Sequence, residues 1–177
     1  MAQIPSLPVT TVIPLEQVEP AMVEQVLDRA FGPGRHERTA YKVREGVDWL
    51  PALSFAALDE DELLVGTIQV WPVALTDPAG KRHPMLMVGP VAVIPERQRE
   101  GFGKTLMFAM LGALDERAPL PQVLIGDADY YSRFFGFVAE PTGGWTLPGP
   151  WERDRLLVRC ENPAILPREG MLGPWLG

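Results

Sequence analysis

The chain has 177 residues, a 46% hydrophobic fraction and a formal net charge of −7, which suits one domain with a real core and argues against an extended nucleic-acid-binding face. Its single cysteine, Cys160, excludes an intrachain disulfide, and 17 glycines with 19 prolines point to a compact domain with many turns, below the level of a low-complexity chain. No stretch has the length and apolarity of a membrane span, and Met1-Ala2-Gln3-Ile4-Pro5 carries no leader pattern, so a cytoplasmic protein without a membrane partner is expected.

Val9 to Ile13 alternates as a first strand. Pro20 opens an amphipathic helix through Met22, Val23, Val26, Leu27, Ala30 and Phe31, and Gly32-Pro33-Gly34 stops it. Arg38 to Arg44 reads as a short second helix with basic positions. Ser54 to Leu58 and Leu63 to Val73 are strands around the turn Asp59-Glu60-Asp61, and Asp77-Pro78-Ala79-Gly80 returns the chain into Met85 to Val93. That last run is almost wholly apolar, as in a strand covered on both faces, but Gly89-Pro90 interrupts it and predicts a bend or a parting from a neighbour.

From Gly103 to Arg117 the residues Leu106, Met107, Met110, Leu111 and Leu114 make one helical stripe, ended by Arg117, Ala118 and Pro119. A right-handed crossover then leads to a parallel strand, Val123 to Asp127, and a short helix over Tyr130 to Phe135. Pro141 to Trp151 reads as a loop whose Trp145 and Trp151 either line a pocket or cap the core's edge. Arg155 to Cys160 is a strand, with Cys160 a strand residue rather than a nucleophile. The pattern is an α/β domain with a mixed, mostly antiparallel sheet and helices on both faces, its core at about 9–160. The segment 161–177 is Pro-rich but too apolar for a free linker, so it docks on the domain or on a second copy in a homodimer.

Gln98-Arg99-Glu100-Gly101-Phe102-Gly103 is a Q-x-x-G-x-G stretch between an apolar strand and an amphipathic helix. Glycine tolerates positive φ and lacks Cβ, so several N–H groups can converge on one anion while the helix start adds partial positive charge. A plain strand-to-helix turn has the same composition. Gly103-Lys104-Thr105 also ends like a nucleotide-binding P-loop, but Gln98 stands where that motif requires its first glycine.

With Val123-Leu124-Ile125-Gly126-Asp127 and Tyr130-Tyr131-Ser132-Arg133-Phe134-Phe135-Gly136-Phe137 downstream, the chain resembles the GNAT superfamily of acyl-CoA-dependent N-acetyltransferases. That family carries [R/Q]-x-x-G-x-[G/A] between its fourth strand and third helix. The resemblance runs over roughly 9–160 in element order and is specific over 88–137. It implies one N-acetyltransferase domain over 1–177, acetyl-CoA as co-substrate without a metal, and a small-molecule or peptide amine as acceptor, for which the negative charge is mildly favourable. By resemblance, Val91, Ala92 and Val93 offer backbone groups to the pantetheine. Gln98, Arg99, Glu100, Gly101, Phe102, Gly103, Lys104 and Thr105 wrap the pyrophosphate, with Arg97 adding charge.

Relatives protonate the departing thiolate with a tyrosine spaced Tyr-x-x-x-Gly-Phe. Here Tyr131 lies five residues before Gly136 and Tyr130 six, because Phe134-Phe135 doubles the usual single aromatic. Counting back from the glycine selects Ser132; counting forward from Asp127 selects Tyr131, which we take as the catalytic acid. No carboxylate or histidine lies in Met85 to Ile94, so Glu100, Asp127 or water is left as the base. His36 and His83 show no metal-ligand spacing. The broken spacing also keeps open a non-catalytic acyl-CoA-binding or sensor domain of the same fold.

Overall fold

The computed structural model describes residues 10–114 and 119–176. Its elements are β1 (Thr11–Pro14), α1 (Pro20–Phe31), α2 (Thr39–Val43), β2 (Phe55–Leu58), β3 (Leu64–Thr76), β4 (Arg82–Val93), α3 (Phe102–Ala113), β5 (Gln122–Ile125), α4 (Ala128–Phe135), β6 (Gly144–Thr146), β7 (Leu156–Arg159) and β8 (Glu169–Pro174). The strands make one mixed, mostly antiparallel sheet in the order β1-β2-β3-β4-β5-β7, with β8 on β3 and β6 on β8. The described residues divide into two compact units, 10–35 with 51–69 and 90–114, and 36–50 with 70–89 and 119–176.

In the first unit β1 runs antiparallel to β2 from Thr11↔Leu58 to Pro14↔Phe55, and β2 antiparallel to β3 from Phe55↔Ile68 to Leu58↔Leu64 through a bulge. Helices lie on both faces of this part of the sheet. A Cβ at Gly66 would meet Leu106 of α3 at 3.2 Å and the Ala92 carbonyl oxygen at 2.8 Å. The preceding residue, Val65, lines a cleft with Met22 and Val26 of α1, and successive strand residues point to opposite faces. Helix α1 begins with Pro20 at its first position and stops at Gly32, which has φ 86. Helix α3 buries Phe102, Leu106, Met107 and Met110, and Leu114 beyond it is already extended with φ −65 and ψ 145. The helix therefore stops short of the expected Arg117-Ala118-Pro119 signal; Arg117 and Ala118, like Val9 of the first strand, lie outside the described residues.

In the second unit β4 is parallel to β5 at Leu86↔Gln122 and Met87↔Val123, and β5 is antiparallel to β7 from Gln122↔Arg159 to Ile125↔Leu156. The C-terminal segment docks on its own chain: β8 pairs antiparallel with β3 from Val73↔Pro174 to Thr76↔Met171 and parallel with β6. Its Leu172 joins Val43, Val73, Leu75, Met85 and Trp145 in one buried cluster. One reading changes here, and of the two roles left to Trp145 packing is the one observed. Residues 144–146 are a strand rather than loop, and Trp145 is a core residue, 1% exposed, whose indole Nε1 donates to the Pro167 carbonyl at 2.8 Å. Burying the ring removes a large apolar surface from water, and the Pro167 acceptor satisfies its one polar atom. Trp151 packs half-buried against the same cluster. Cys160 falls one residue past β7, its thiol 3.5 Å from the Asn162 carbonyl oxygen.

Candidate functional site

The turn after β4 is built from short-range constraints. Pro95–Arg97 forms a single 3-10 turn, Gln98 Nε2 donates back to the Val93 carbonyl at 3.1 Å, and Gly101 becomes the N-cap of α3 with φ 97 and ψ 4. A left-handed residue followed by a helical one turns consecutive N–H groups to the same side, the concave arrangement that binds anions, and α3 starts directly behind it. Arg99 is left-handed as well, at φ 70. A non-glycine in that region is uncommon and costs backbone energy, which glycine spacing alone gave no means of anticipating.

The two glycines differ. Gly101 uses its conformational freedom, whereas Gly103 sits inside α3, and a Cβ there would lie 3.9 Å from Val91 Cγ1 and 4.0 Å from Val93 Cγ2, an ordinary contact. Ala92 between those valines is fully buried, and Phe102 is 1% exposed. Lys104 is half-buried and Arg99 and Glu100 are exposed. Thr105 directs its hydroxyl to the Gly101 carbonyl at 3.1 Å, which its own N–H also reaches at 3.0 Å, so the side chain closes the first helical turn.

Arg97 is a brace. Its Nη1 donates to Asp59 at 2.8 Å, Nη2 to Glu60 at 3.3 Å and Nε to Glu100 at 2.9 Å, and its guanidinium lies over the Phe102 ring with Cζ 5.0 Å from the centroid. Glu100 first and then Glu60 hold the Arg97 pKa above its ordinary value. The Leu63 N–H, followed by the Asp61 N–H and Arg97, holds Asp59 below the usual carboxylate range. One end of the turn is thereby tied to the β2–β3 connection. Among the described residues Asp59, Glu60 and Asp61 bring their carboxylates within 4.8 Å of one another, and Arg97 already supplies the cation for two of them.

In the second unit, Asp127 caps α4 by accepting from the N–H groups of Asp129 at 2.9 Å and Tyr130 at 3.4 Å. That N-cap role accounts for the carboxylate, as the bond to Arg97 accounts for Glu100. Tyr131 follows on the first turn, its N–H bonded to the Asp127 carbonyl at 3.0 Å. Its ring meets Tyr130 edge-on with centroids 4.9 Å apart and packs near Phe135 and Phe137. It also lies so close to the end of β5 that a Cβ on Gly126 would stand 2.5 Å from Tyr131 Cε2. Gly126 thus admits the ring, a role the sequence reading missed. Burial pushes the Tyr131 phenol up to about 12, with Tyr130 and Asp127 adding to the rise. Tyr130 is raised by burial, and Ser132 is exposed.

The expected interruption of β4 is present. Gly89 has φ 124, and the pairing with β5 covers Leu86 and Met87 alone. Leu124 and Ile125 are bonded along the β7 side. His83 pairs with Asp77 at 2.9 Å, and His36 packs against Tyr41 with ring centroids 5.0 Å apart. Among the described residues no helix is long and apolar enough to cross a membrane.

Residues 12–138 match the family model described as "Acetyltransferase (GNAT) domain". Among solved structures, a GNAT family acetyltransferase from Brucella melitensis in complex with acetyl-CoA is similar at 24% identity and a TM-score of 0.61, covering 94% of this chain and 96% of its own. A GNAT family N-acetyltransferase, YhbS, from Escherichia coli in complex with CoA is similar at 22% identity and a TM-score of 0.68, covering 99% of this chain and 94% of its own. Those likenesses are of fold. No curated protein matches the chain.

Proposed function

The chain belongs to the GNAT acetyltransferase family, and on that premise we propose that it transfers the acetyl group of acetyl-CoA to a primary amine of a small molecule or peptide. The observation that carries this reading is the left-handed Gly101 leading directly into α3, a set of convergent N–H groups that fits a pyrophosphate. Gln98 to Thr105 would hold the nucleotide end through those amides, and Val91, Ala92 and Val93 would receive the pantetheine. Arg97 keeps the turn in place and leaves anion contact to Arg99, Lys104 and the backbone.

The amine nitrogen attacks the thioester carbonyl carbon, the new C–N bond forming as the C=O electrons move to oxygen. Collapse restores the carbonyl and breaks the C–S bond, and the leaving sulfur takes the Tyr131 proton. The extra ammonium proton passes through water to bulk, and the tyrosinate is reprotonated from solvent. A phenol raised to about 12 is held protonated at neutral pH, as an acid must be before it donates.

Thiol release from acetyl-CoA across a panel of amino acids, polyamines, aminoglycosides and peptide N-termini tests the reading, alongside acetyl-CoA binding followed by melting temperature. Binding with turnover on one acceptor class supports it. Binding with no turnover on any class would favour the acyl-CoA sensor reading, for which the displaced tyrosine spacing speaks. Stabilisation by ATP in preference to CoA would overturn both. The cytoplasm and the absence of nucleic-acid, membrane and metal partners belong to the same proposal, as does assembly into a homodimer.

A further inference from the structure

Met22, Gln25, Val26 and Arg29 recur at helical spacing along one face of α1, and that face forms one wall of a cleft completed by the start of β3 and the residues after β4. The cleft has a volume of about 560 Å3, and its lining lies wholly within the first compact unit. Its floor is apolar, with Val26, Val65 and Ile94 at 5%, 1% and 8% exposure. Met22 and Leu63 also line it yet remain open to solvent, at 44% and 62%. Clefts of this size hold small molecules, and apolar surface left open between polar walls is characteristic of binding grooves.

The charges along the cleft do not balance. Asp59, Asp61 and Glu96 stand against Arg29 and Arg97. Arg29 is paired with Glu96, and Arg97 with Asp59, Glu60 and Glu100, so both guanidinium groups are committed before any anion arrives. Asp61 is exposed and has no ion-pair partner among the described residues, although its carboxylate lies within 4.8 Å of those of Asp59 and Glu60. Like charges so close favour a cation beside them, and the chain's net charge of −7 attracts cations generally. A metal ion fits less well than an organic cation. Asp59 Oδ1 already accepts from the N–H groups of Asp61 and Leu63, and Oδ2 from Arg97.

We propose that this cleft binds an organic cation with an apolar body, an aralkyl amine in the simplest case, its ammonium beside Asp61 and its hydrocarbon on Val26, Val65 and Ile94. A neutral molecule of the same shape would gain the apolar burial alone, and an anion would meet the excess carboxylate. None of Gln98 to Thr105 lines the cleft, so the site is separate from the turn assigned to the pyrophosphate and does not depend on the acetyl-transfer reading.

The test is a methyl NMR titration of the full chain, without acetyl-CoA, using phenethylammonium, its neutral isostere 2-phenylethanol and the anion 3-phenylpropionate. Phenethylammonium should shift the methyl signals of Met22, Val26, Val65 and Ile94 with a Kd of about a millimolar, ordinary for so small a molecule. The alcohol should bind about fivefold more weakly, the upper range for one exposed ion pair, and the anion more weakly still. Asp61→Asn should erase the amine's advantage over the alcohol, and Leu63→Ser should weaken both by the same factor. Both substitutions are at exposed positions, and circular dichroism checks the fold. Equal binding of amine and alcohol, an advantage that survives Asp61→Asn, unchanged binding of both in Leu63→Ser, or the absence of shifts at these methyls would each overturn the proposal. The same shifts on concentrating the protein alone would show a second copy covering the cleft, and would overturn it as well.

Discussion

Gly126→Ala isolates the placement of Tyr131 from everything else in the chain. A Cβ there would stand 2.5 Å from Tyr131 Cε2, 2.9 Å from Cδ2 and 3.1 Å from Leu124 Cδ1. Carbon atoms in contact settle at about 3.5–4.0 Å, so the ring has to retreat by about 1 Å. Tyr131 is half-buried, so it can swing outward without unfolding the unit, at the usual overpacking cost of about 1–3 kcal/mol. A displacement of about 1 Å in a reacting group can cost roughly 10²-fold in rate. We therefore expect kcat for thiol release to fall between about tenfold and 10²-fold at saturating acetyl-CoA, with acetyl-CoA affinity nearly intact, because the Gln98 to Thr105 turn is untouched. Combining the change with Tyr131→Phe supplies the control. If the glycine acts through the phenol, the double variant should be no slower than Tyr131→Phe alone. A Gly126→Ala variant with full kcat, or losses that simply multiply, would refute the argument.

Tyr131→Phe should lower kcat by roughly 10²-fold, the low end for a lost general acid, with acetyl-CoA affinity unchanged, while Tyr130→Phe and Ser132→Ala stay near full turnover; the same thiol assay reads all three. Gly101→Val should remove most of the rise in melting temperature that acetyl-CoA produces, because φ 97 disfavours any side chain. Gly103→Ala should melt normally without ligand, so any loss of its ligand-induced rise reports on CoA rather than folding, and Lys104→Ala should lose less than Gly101→Val. Burial raises the folded Tyr131 pKa, so its contribution to stability is complete below the unfolded value of about 10 and declines as pH rises through about 12. A descending limb of kcat near pH 10 that vanishes in Tyr131→Phe would contradict that burial.

Much of the fold was legible because local signals and tertiary demands agree. Pro20 and Gly32 bracket α1, the Asp59 and Asp77 turns separate the strands, and the Leu106, Met107 and Met110 stripe is the buried side of α3. Misreadings arose where a partner distant in sequence decides the outcome. Gly143-Gly144-Trp145 has turn composition, yet Gly144 to Thr146 becomes a strand because Glu169 to Met171 lies alongside it. A pairing partner more than twenty positions away leaves no periodicity in a three-residue segment. The apolar tail showed that it must be covered, while its place beside β3 depended on a register that composition does not carry.

The site divides in the same way. The glycine turn could be read because φ above zero selects a residue type, but Arg99 adopts such a φ without being glycine. Arg97 looked like one more cation near the motif until three carboxylates converged on it. Tyr131 is the instructive case, since its spacing to Gly136 gives one answer and its spacing to Asp127 another. From Asp127 forward the geometry is regular, the Tyr131 N–H meeting the Asp127 carbonyl one helical turn back. Toward Gly136 the bonding widens. The Gly136 N–H donates to the Ser132 carbonyl at 3.3 Å and also to that of Tyr131, the Phe137 N–H donates to the Tyr131 carbonyl at 3.3 Å, and Gly136 closes the helix with φ 77. The widening thus falls after Tyr131, where Phe134-Phe135 stands, while Asp127 to Tyr131 is one ordinary helical turn. The end of β5 is therefore the better origin for counting. From it Tyr131, rather than Ser132, is the residue we propose as the acid, with Gly126 leaving room for the ring.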